Sequence, residues 1–294
     1  IEAIHGNLIL DITYFQLPQL DPGALDGEPL AIYNALPAAL LANYNASAFT
    51  FKVVNDSVVI TPDLKQPELA MVSRLVLDDA PCAEWKDRLV PTVSGPMRNQ
   101  LVFEGWYARD CGEKHLNLNL YDATRNFDLV FRALWAESGG ALTGNTRLGT
   151  APADTPPLLS FPSVPLAEAV RDLNKYSNNL MTRNLYLTLG AETRGPPATL
   201  EKSRDAVQAW LADKKIAAPE LVLENGAGLS RIERISAQTL SRILVLAYRS
   251  PYFSELESAL PIPAVDGTLK RRFTDSPLAG RAHLKTGTLK DARA

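Results

Sequence analysis

Apolar and polar positions change their rhythm near residue 150. Before it the dominant period is two, the spacing that sends successive side chains to opposite faces of a strand. Phe49, Phe51 and Val53 alternate with polar partners, and Val58-Val59-Ile60 follows an Asn55-Asp56 turn signal. His115-Leu116-Asn117-Leu118-Asn119-Leu120-Tyr121-Asp122 alternates strictly, which predicts a strand with one wet face, and residues 7–12 read as a further strand. Two helical stretches interrupt this β-rich half. One is predicted over 35–42; the other covers 128–138, where Leu129, Phe131, Leu134 and Trp135 form an imperfect face.

A loop rich in Pro and Thr, residues 149–165, then marks a boundary between a mostly β part, 1–150, and a largely helical part, 151–294. Leu166, Val170 and Leu173 recur at helical spacing behind Ser163, a candidate cap. A second helix is predicted over 178–189, stopping at Gly190, and a third over 200–215, burying Leu200, Val207, Trp210 and Leu211. That helix ends in Lys214 and Lys215, which suit the negative end of its dipole. Leu221-Val222-Leu223 reads as a short strand leading into Asn225-Gly226-Ala227-Gly228. Ser236 is placed to cap a helix whose face is Leu240, Ile243, Leu244 and Ala247, and residues 282–289 read as a last strand.

Charge and composition narrow the functional classes. Of 294 residues 46% are hydrophobic and 21% charged, the balance of a globular protein, and the net charge of −3 gives no attraction to nucleic acid. The densest basic stretch, Lys270-Arg271-Arg272, reads as a solvated loop. No apolar run approaches the roughly 20 residues of a membrane-spanning helix. The chain opens at Ile1 without a basic-then-apolar leader, as a mature or excised polypeptide would. Cys82 and Cys111 flank a strand-turn-strand segment; they are either two buried thiols or one disulfide, and the latter needs an oxidising compartment. His5, His115 and His283 are scattered and form no metal-ligand spacing, so neither a metal nor another cofactor is expected.

Chemistry concentrates in two triplets. Ser177-Asn178-Asn179 is an S-x-N sequence at a break between helices, and Lys285-Thr286-Gly287 is a K-T-G sequence in the last predicted strand. A serine hydroxyl there can relay a proton, and an asparagine amide can orient a peptide group. A lysine on a neighbouring strand attracts a carboxylate, a threonine hydroxyl hydrogen-bonds it, and a glycine admits the ligand to the backbone. S-x-x-K, S-D-N and K-T-G together are the signature of class A β-lactamases and penicillin-binding proteins.

Further stretches make the match specific: Tyr176-Ser177-Asn178-Asn179-Leu180-Met181, Glu224-Asn225-Gly226-Ala227-Gly228-Leu229-Ser230-Arg231, Asp266-Gly267-Thr268-Leu269, Gly6-Asn7-Leu8-Ile9-Leu10-Asp11 and Tyr33-Asn34-Ala35-Leu36-Pro37-Ala38-Ala39. In these the chain resembles, over essentially its whole length, the penicillin-binding protein 4 type of D-alanyl-D-alanine carboxypeptidase/endopeptidase. The resemblance implies an α/β (α+β) penicillin-binding, transpeptidase-like domain with an antiparallel sheet and flanking helices, here incomplete, carrying inserted mostly-β domains. It implies a periplasmic or otherwise extracytoplasmic serine peptidase acting on peptidoglycan stem peptides and reacting with β-lactams. By the same resemblance Ser177 is the proton relay, Asn179 orients substrate, Lys285 gives electrostatic and proton-transfer support, and Thr286 holds the carboxylate beside Gly287. The Thr288 N–H would form half of an oxyanion hole. Asp26 or Glu28 would read the stem-peptide side chain.

One part is missing. No serine in the chain has a lysine three residues on; Thr199-Leu200-Glu201-Lys202 imitates the spacing with the wrong residue and reads as surface charge. The expectation is therefore a fragment of a D,D-peptidase that binds but does not acylate, with a non-catalytic binding or scaffold protein of the same fold as the alternative. A third reading makes the motifs accidents: Ser177 a helix cap, Lys285 an exposed strand residue, and Gly226 and Gly228 plain turn glycines.

Overall fold

Residues 2–66, 68–289 and 292–293 are described by a computed structural model, in which the chain forms two compact units. The first is the chain up to Ile12 with Asp21–Ala151; the second is Thr13–Leu20 with the chain from Pro152 onward. None of the helices described is long and apolar enough to cross a membrane.

In the first unit β1 (Ala3–Ile4) and β2 (Leu8–Leu10) precede β3 (Ser47–Val54), β4 (Ser57–Pro62), β5 (Ala70–Asp78), β6 (Leu89–Ser94), β7 (Gln100–Ala108) and β8 (Lys114–Leu118). Two three-stranded sheets result, in the orders β4-β3-β8 and β5-β7-β6. The β3–β4 turn is the one the sequence signals. Val54 pairs with Ser57, leaving Asn55 and Asp56 as a two-residue loop with φ of 47° and 56°, left-handed values that Asn and Asp tolerate best among non-glycine residues. The period-two pattern delivers Phe49 and Phe51 to a core with Leu101, Phe103 and Tyr107, where Phe51 and Phe103 meet edge to face at 5.1 Å between centroids. Cys82 and Cys111 form a disulfide across the segment that carries β6 and β7, which decides between the two readings of these cysteines. Helix α1 (Ala123–Glu137) starts earlier than its apolar face suggests because Asp122 caps it, accepting the Arg125 N–H at 2.9 Å. Short strands β9 (Ala141–Leu142) and β10 (Thr146–Leu148) then run parallel to β1 and β2.

Two expectations fail here. Residues 35–42 are not helical; the 3-10 turn Ile32–Asn34 precedes them, and Pro37 lacks an N–H and disfavours helix at Leu36. Strand β8 stops at Leu118 because the buried Asn119 leaves the ladder, its backbone N–H going to Leu30 O and its amide to Pro29 O.

The second unit is built from α2 (Leu166–Tyr176), α3 (Asn179–Arg194), α4 (Leu200–Asp213), α5 (Ala237–Tyr248) and α6 (Phe253–Ala259), with a terminal hairpin of β11 (Thr288–Leu289) and β12 (Ala292–Arg293). Residues 13–20 join it through Phe15, which bridges Ala198. Leu187, Ala191 and Ala198 pack with Phe15, Leu17 and Leu200.

Several boundaries differ from the sequence reading. Ser163 does not cap α2; its hydroxyl donates to Val164 O, and the helix begins after Pro165. Gly190 does not end α3. It lies where the helix meets α4: a Cβ there would sit 2.4 Å from Ser203 Oγ and 2.8 Å from Ser203 N, so glycine serves close helix packing, and the helix ends at Gly195. Helix α4 stops at Asp213, and Trp210 is exposed, the burial falling on Ser203, Ala206 and Leu211. Ser236 does cap α5, accepting the Thr239 N–H at 3.1 Å, but Leu240 and Leu244 of its apolar face are exposed. Leu221-Val222-Leu223 contributes one bridge, Val222 to Arg234. Residues 282–287 belong to no assigned strand; only Thr288–Leu289 finds a partner.

Candidate active site

The break between α2 and α3 sets up the first triplet. Helix α2 closes with a Schellman turn, in which the Asn178 N–H reaches Leu173 O at 2.9 Å and the Ser177 N–H reaches Asn174 O at 3.4 Å. That turn needs a left-handed residue, and Ser177 supplies it with φ 53° and ψ 46°. Glycine is the usual occupant, so serine here carries some backbone strain. Asn178 is at once the cap of α3, its Oδ1 accepting the Met181 N–H at 3.0 Å. The capping role that one reading gave to Ser177 thus falls to its neighbour. Asn179, half-buried in the first turn of α3, takes no part in the capping bonds.

Lys285 meets this break from the far end of the chain. Its Nζ donates to Ser177 Oγ at 2.7 Å and to Thr286 O at 2.9 Å. An ammonium has three N–H groups, so one remains for a ligand, and Ser177, accepting from the lysine, keeps its own proton to give. Burial of its surroundings lowers the Lys285 pKa from the ordinary lysine value, although the side chain stays partly exposed. Thr286 is half-buried, Gly287 exposed, and Thr288 opens β11. The extended segment is held against the end of α6: the Leu284 N–H donates to Pro261 O at 2.9 Å, and His283 Nδ1 pairs with Glu257 O at 2.8 Å.

A buried ion pair ties these pieces together. The Lys175 side chain is only 8% exposed; its Nζ donates to Leu260 O at 2.7 Å and to Asp266 Oδ2 at 2.6 Å. The other Asp266 oxygen accepts the Ile262 N–H at 2.8 Å. Burial alone would raise the Asp266 carboxyl, but the Lys175 and Ile262 bonds and the charges of Lys175 and Arg171 hold it below its ordinary value. Next to it, Gly267 (φ 55°) lies on the backbone of Lys175, where a Cβ would come within 2.5 Å of the Lys175 carbonyl oxygen. Then Thr268 brings its hydroxyl to 3.2 Å from that of Thr286. The Asp266-Gly267-Thr268-Leu269 turn is therefore locked onto the end of α2, two residues before Ser177, and touches the K-T-G segment. Sequence reasoning found the turn as a motif but not Lys175, whose place in an amphipathic helix looks like ordinary surface charge.

Glu233 organises the glycine loop. Its Oε1 accepts the N–H groups of Glu224, Asn225 and Gly226 at 2.7, 2.7 and 2.9 Å, and its Oε2 accepts that of Gly228 at 2.9 Å. Gly226 and Gly228 have φ of 75° and 74°, left-handed values that favour glycine, and a Cβ at Gly226 would come within 2.7 Å of the Tyr186 ring. In the first unit Asp26 accepts from the Glu28 N–H, the Tyr33 hydroxyl and the Asn34 amide, at 3.0, 2.9 and 2.8 Å. Burial would raise its pKa, yet these bonds bring it below the ordinary value, while burial and Asp26 push Tyr33 up to about 12. Among the described residues, one group offers metal-ligand types, Cys82, Asp110 and Cys111, and both its sulfurs are in the disulfide.

Comparison with known proteins gives consistent matches. A family model described as the D-Ala-D-Ala carboxypeptidase 3 (S13) family matches residues 1–294. The D-alanyl-D-alanine carboxypeptidase of Actinomadura sp. (strain R39) is 30% identical over 173 residues, which is 56% of this chain and 32% of that protein. The D-alanyl-D-alanine carboxypeptidase DacB of Haemophilus influenzae is 24% identical over 299 residues, 99% of this chain and 61% of that one. This chain thus spans less than two thirds of the length of either relative. The crystal structure of penicillin binding protein 4 (dacB) from Haemophilus influenzae superposes with a TM-score of 0.77 at 23% identity, covering 100% of this chain and 65% of that one. A structure of that protein complexed with a novel beta-lactam gives a TM-score of 0.72 at 22% identity, covering 100% and 63%. The fold is that of a penicillin-binding protein.

Proposed function

The chain belongs to the D-Ala-D-Ala carboxypeptidase 3 (S13) family, and from that premise we propose that its second unit carries the substrate-carboxylate and proton-relay half of a serine-type D,D-peptidase site. The observation that carries this reading is the 2.7 Å bond between Lys285 Nζ and Ser177 Oγ, which joins residues 108 positions apart in sequence. The remaining ammonium N–H and the Thr286 hydroxyl attract the terminal carboxylate of a D-Ala-D-Ala stem peptide. Ser177, supplied by the lysine beside it, donates its proton toward the scissile amide nitrogen, and Asn179 orients the peptide group. The N–H of Thr288 faces the developing oxyanion. Substrates of this class are peptidoglycan stem peptides, cleaved by carboxypeptidase or endopeptidase action, and β-lactams are their mimics. The disulfide supports an extracytoplasmic, periplasmic setting.

A second reading is favoured by one specific observation: the chain contains no S-x-x-K sequence to supply an acylated serine. On that reading the 294-residue chain binds D-Ala-D-Ala peptides and β-lactams without turning them over. Incubation with a fluorescent penicillin, followed first by anisotropy and then by a denaturing gel, tests this. Saturable anisotropy with no labelled band is expected; a covalent band would refute it.

A further inference from the structure

We propose that Thr268 is a second hydroxyl of the carboxylate receptor, acting in concert with Thr286. The inference rests on the reading of Lys285 and Thr286 as the receptor for a D-alanine carboxylate, and it follows from how the Asp266-Gly267-Thr268-Leu269 turn is built. Each residue before the threonine is spent on anchoring. Asp266 is held by Lys175 Nζ at 2.6 Å and by the Ile262 N–H at 2.8 Å, and Gly267 is pressed onto the Lys175 carbonyl with no room for a Cβ. Leu269 is fully buried. Thr268 alone points outward: it is exposed, and among the described residues its hydroxyl bonds only the Thr286 hydroxyl, at 3.2 Å.

Proton counting assigns the pair a ligand. Two hydroxyls hold two protons, one of which is used between them while the other is unspent. The neighbouring Lys285 ammonium has an N–H to spare as well, since two of its three serve Ser177 and Thr286 O. Among the described residues no carboxylate hydrogen-bonds Thr268, Thr286 or Lys285, so the cluster presents donors and positive charge without an anionic partner of its own. A carboxylate replaces the weak Thr–Thr bond with two O–H···O⁻ bonds, one to each of its oxygens, and the anchored turn holds Thr268 in place beforehand.

The test is reversible binding of an N-acylated D-Ala-D-Ala peptide and of its C-terminal amide to the full chain, by calorimetric titration. Wild type is compared with Thr268→Val, Thr268→Ser and Thr286→Val, each checked by thermal melting. Thr268→Val is expected to weaken binding of the acid about ten-fold, the scale of one charge-assisted hydrogen bond. It should leave the amide unchanged, and Thr268→Ser should restore the acid. If Thr268→Val binds the acid like wild type while Thr286→Val does not, Thr268 is no part of the receptor and the site reading stands without it. Equal losses for acid and amide would reduce Thr268 to a purely structural residue and overturn the inference. Wild type failing to prefer acid over amide would overturn the site reading itself, and this inference with it.

Discussion

Ser177 shows how much a single residue can reveal. The S-N-N triplet was legible from sequence, but not the division of labour within it. A helix break of this kind needs one left-handed residue and one cap, and the structure gives the first to Ser177 and the second to Asn178. A serine where glycine costs least fits the proton-relay role proposed for its hydroxyl. Ser177→Gly should therefore stabilise the chain by about 1 kcal/mol in urea unfolding while weakening D-Ala-D-Ala peptide binding. A variant that loses stability would show that the hydroxyl is a structural group. Gly190 teaches the opposite lesson. It looked like a helix stop, yet its role depends on Ser203 of the neighbouring helix, a tertiary fact that no local pattern encodes.

At the scale of elements, periodicity identified most helices and the β3–β4 hairpin, and it misplaced ends wherever a proline or a distant partner decided them. Pro37 removed a helix from residues 35–42, and residues 282–287 find no ladder although their pattern reads as strand. The device that joins the elements of the site escaped sequence reading altogether. Lys175 ties the end of α2 to Leu260, beside the Pro261 carbonyl that holds Leu284, and to Asp266, beside the turn that reaches Thr286. Lys175→Met should cost roughly 3 kcal/mol, the lower end of the range for breaking a buried pair, because Asp266 keeps some contact with water. The pair also has a pH signature. Asp266 titrates below its ordinary value of 3.8, so its contribution is complete above that pH and is lost as pH falls through the depressed value. Urea midpoints from pH 6 down to pH 3 should fall more steeply for wild type than for Lys175→Met. Parallel slopes would show that the pair does not link stability to pH.

On the scale of the whole molecule, the order of the polar triplets and of the stretches around them led to the family that matches residues 1–294. What they did not disclose was that residues 13–20 leave the β-rich unit to join the helical one through Phe15 and Ala198, a pairing between segments too distant for any local pattern to show. The proposed function rests on a similar long-range meeting, that of Lys285 with Ser177. Equilibrium dialysis of a radiolabelled N-acylated D-Ala-D-Ala peptide against wild type and Lys285→Ala measures it directly. Saturable binding by wild type, weakened at least about ten-fold in Lys285→Ala, is the result predicted; equal binding by the two proteins would contradict it.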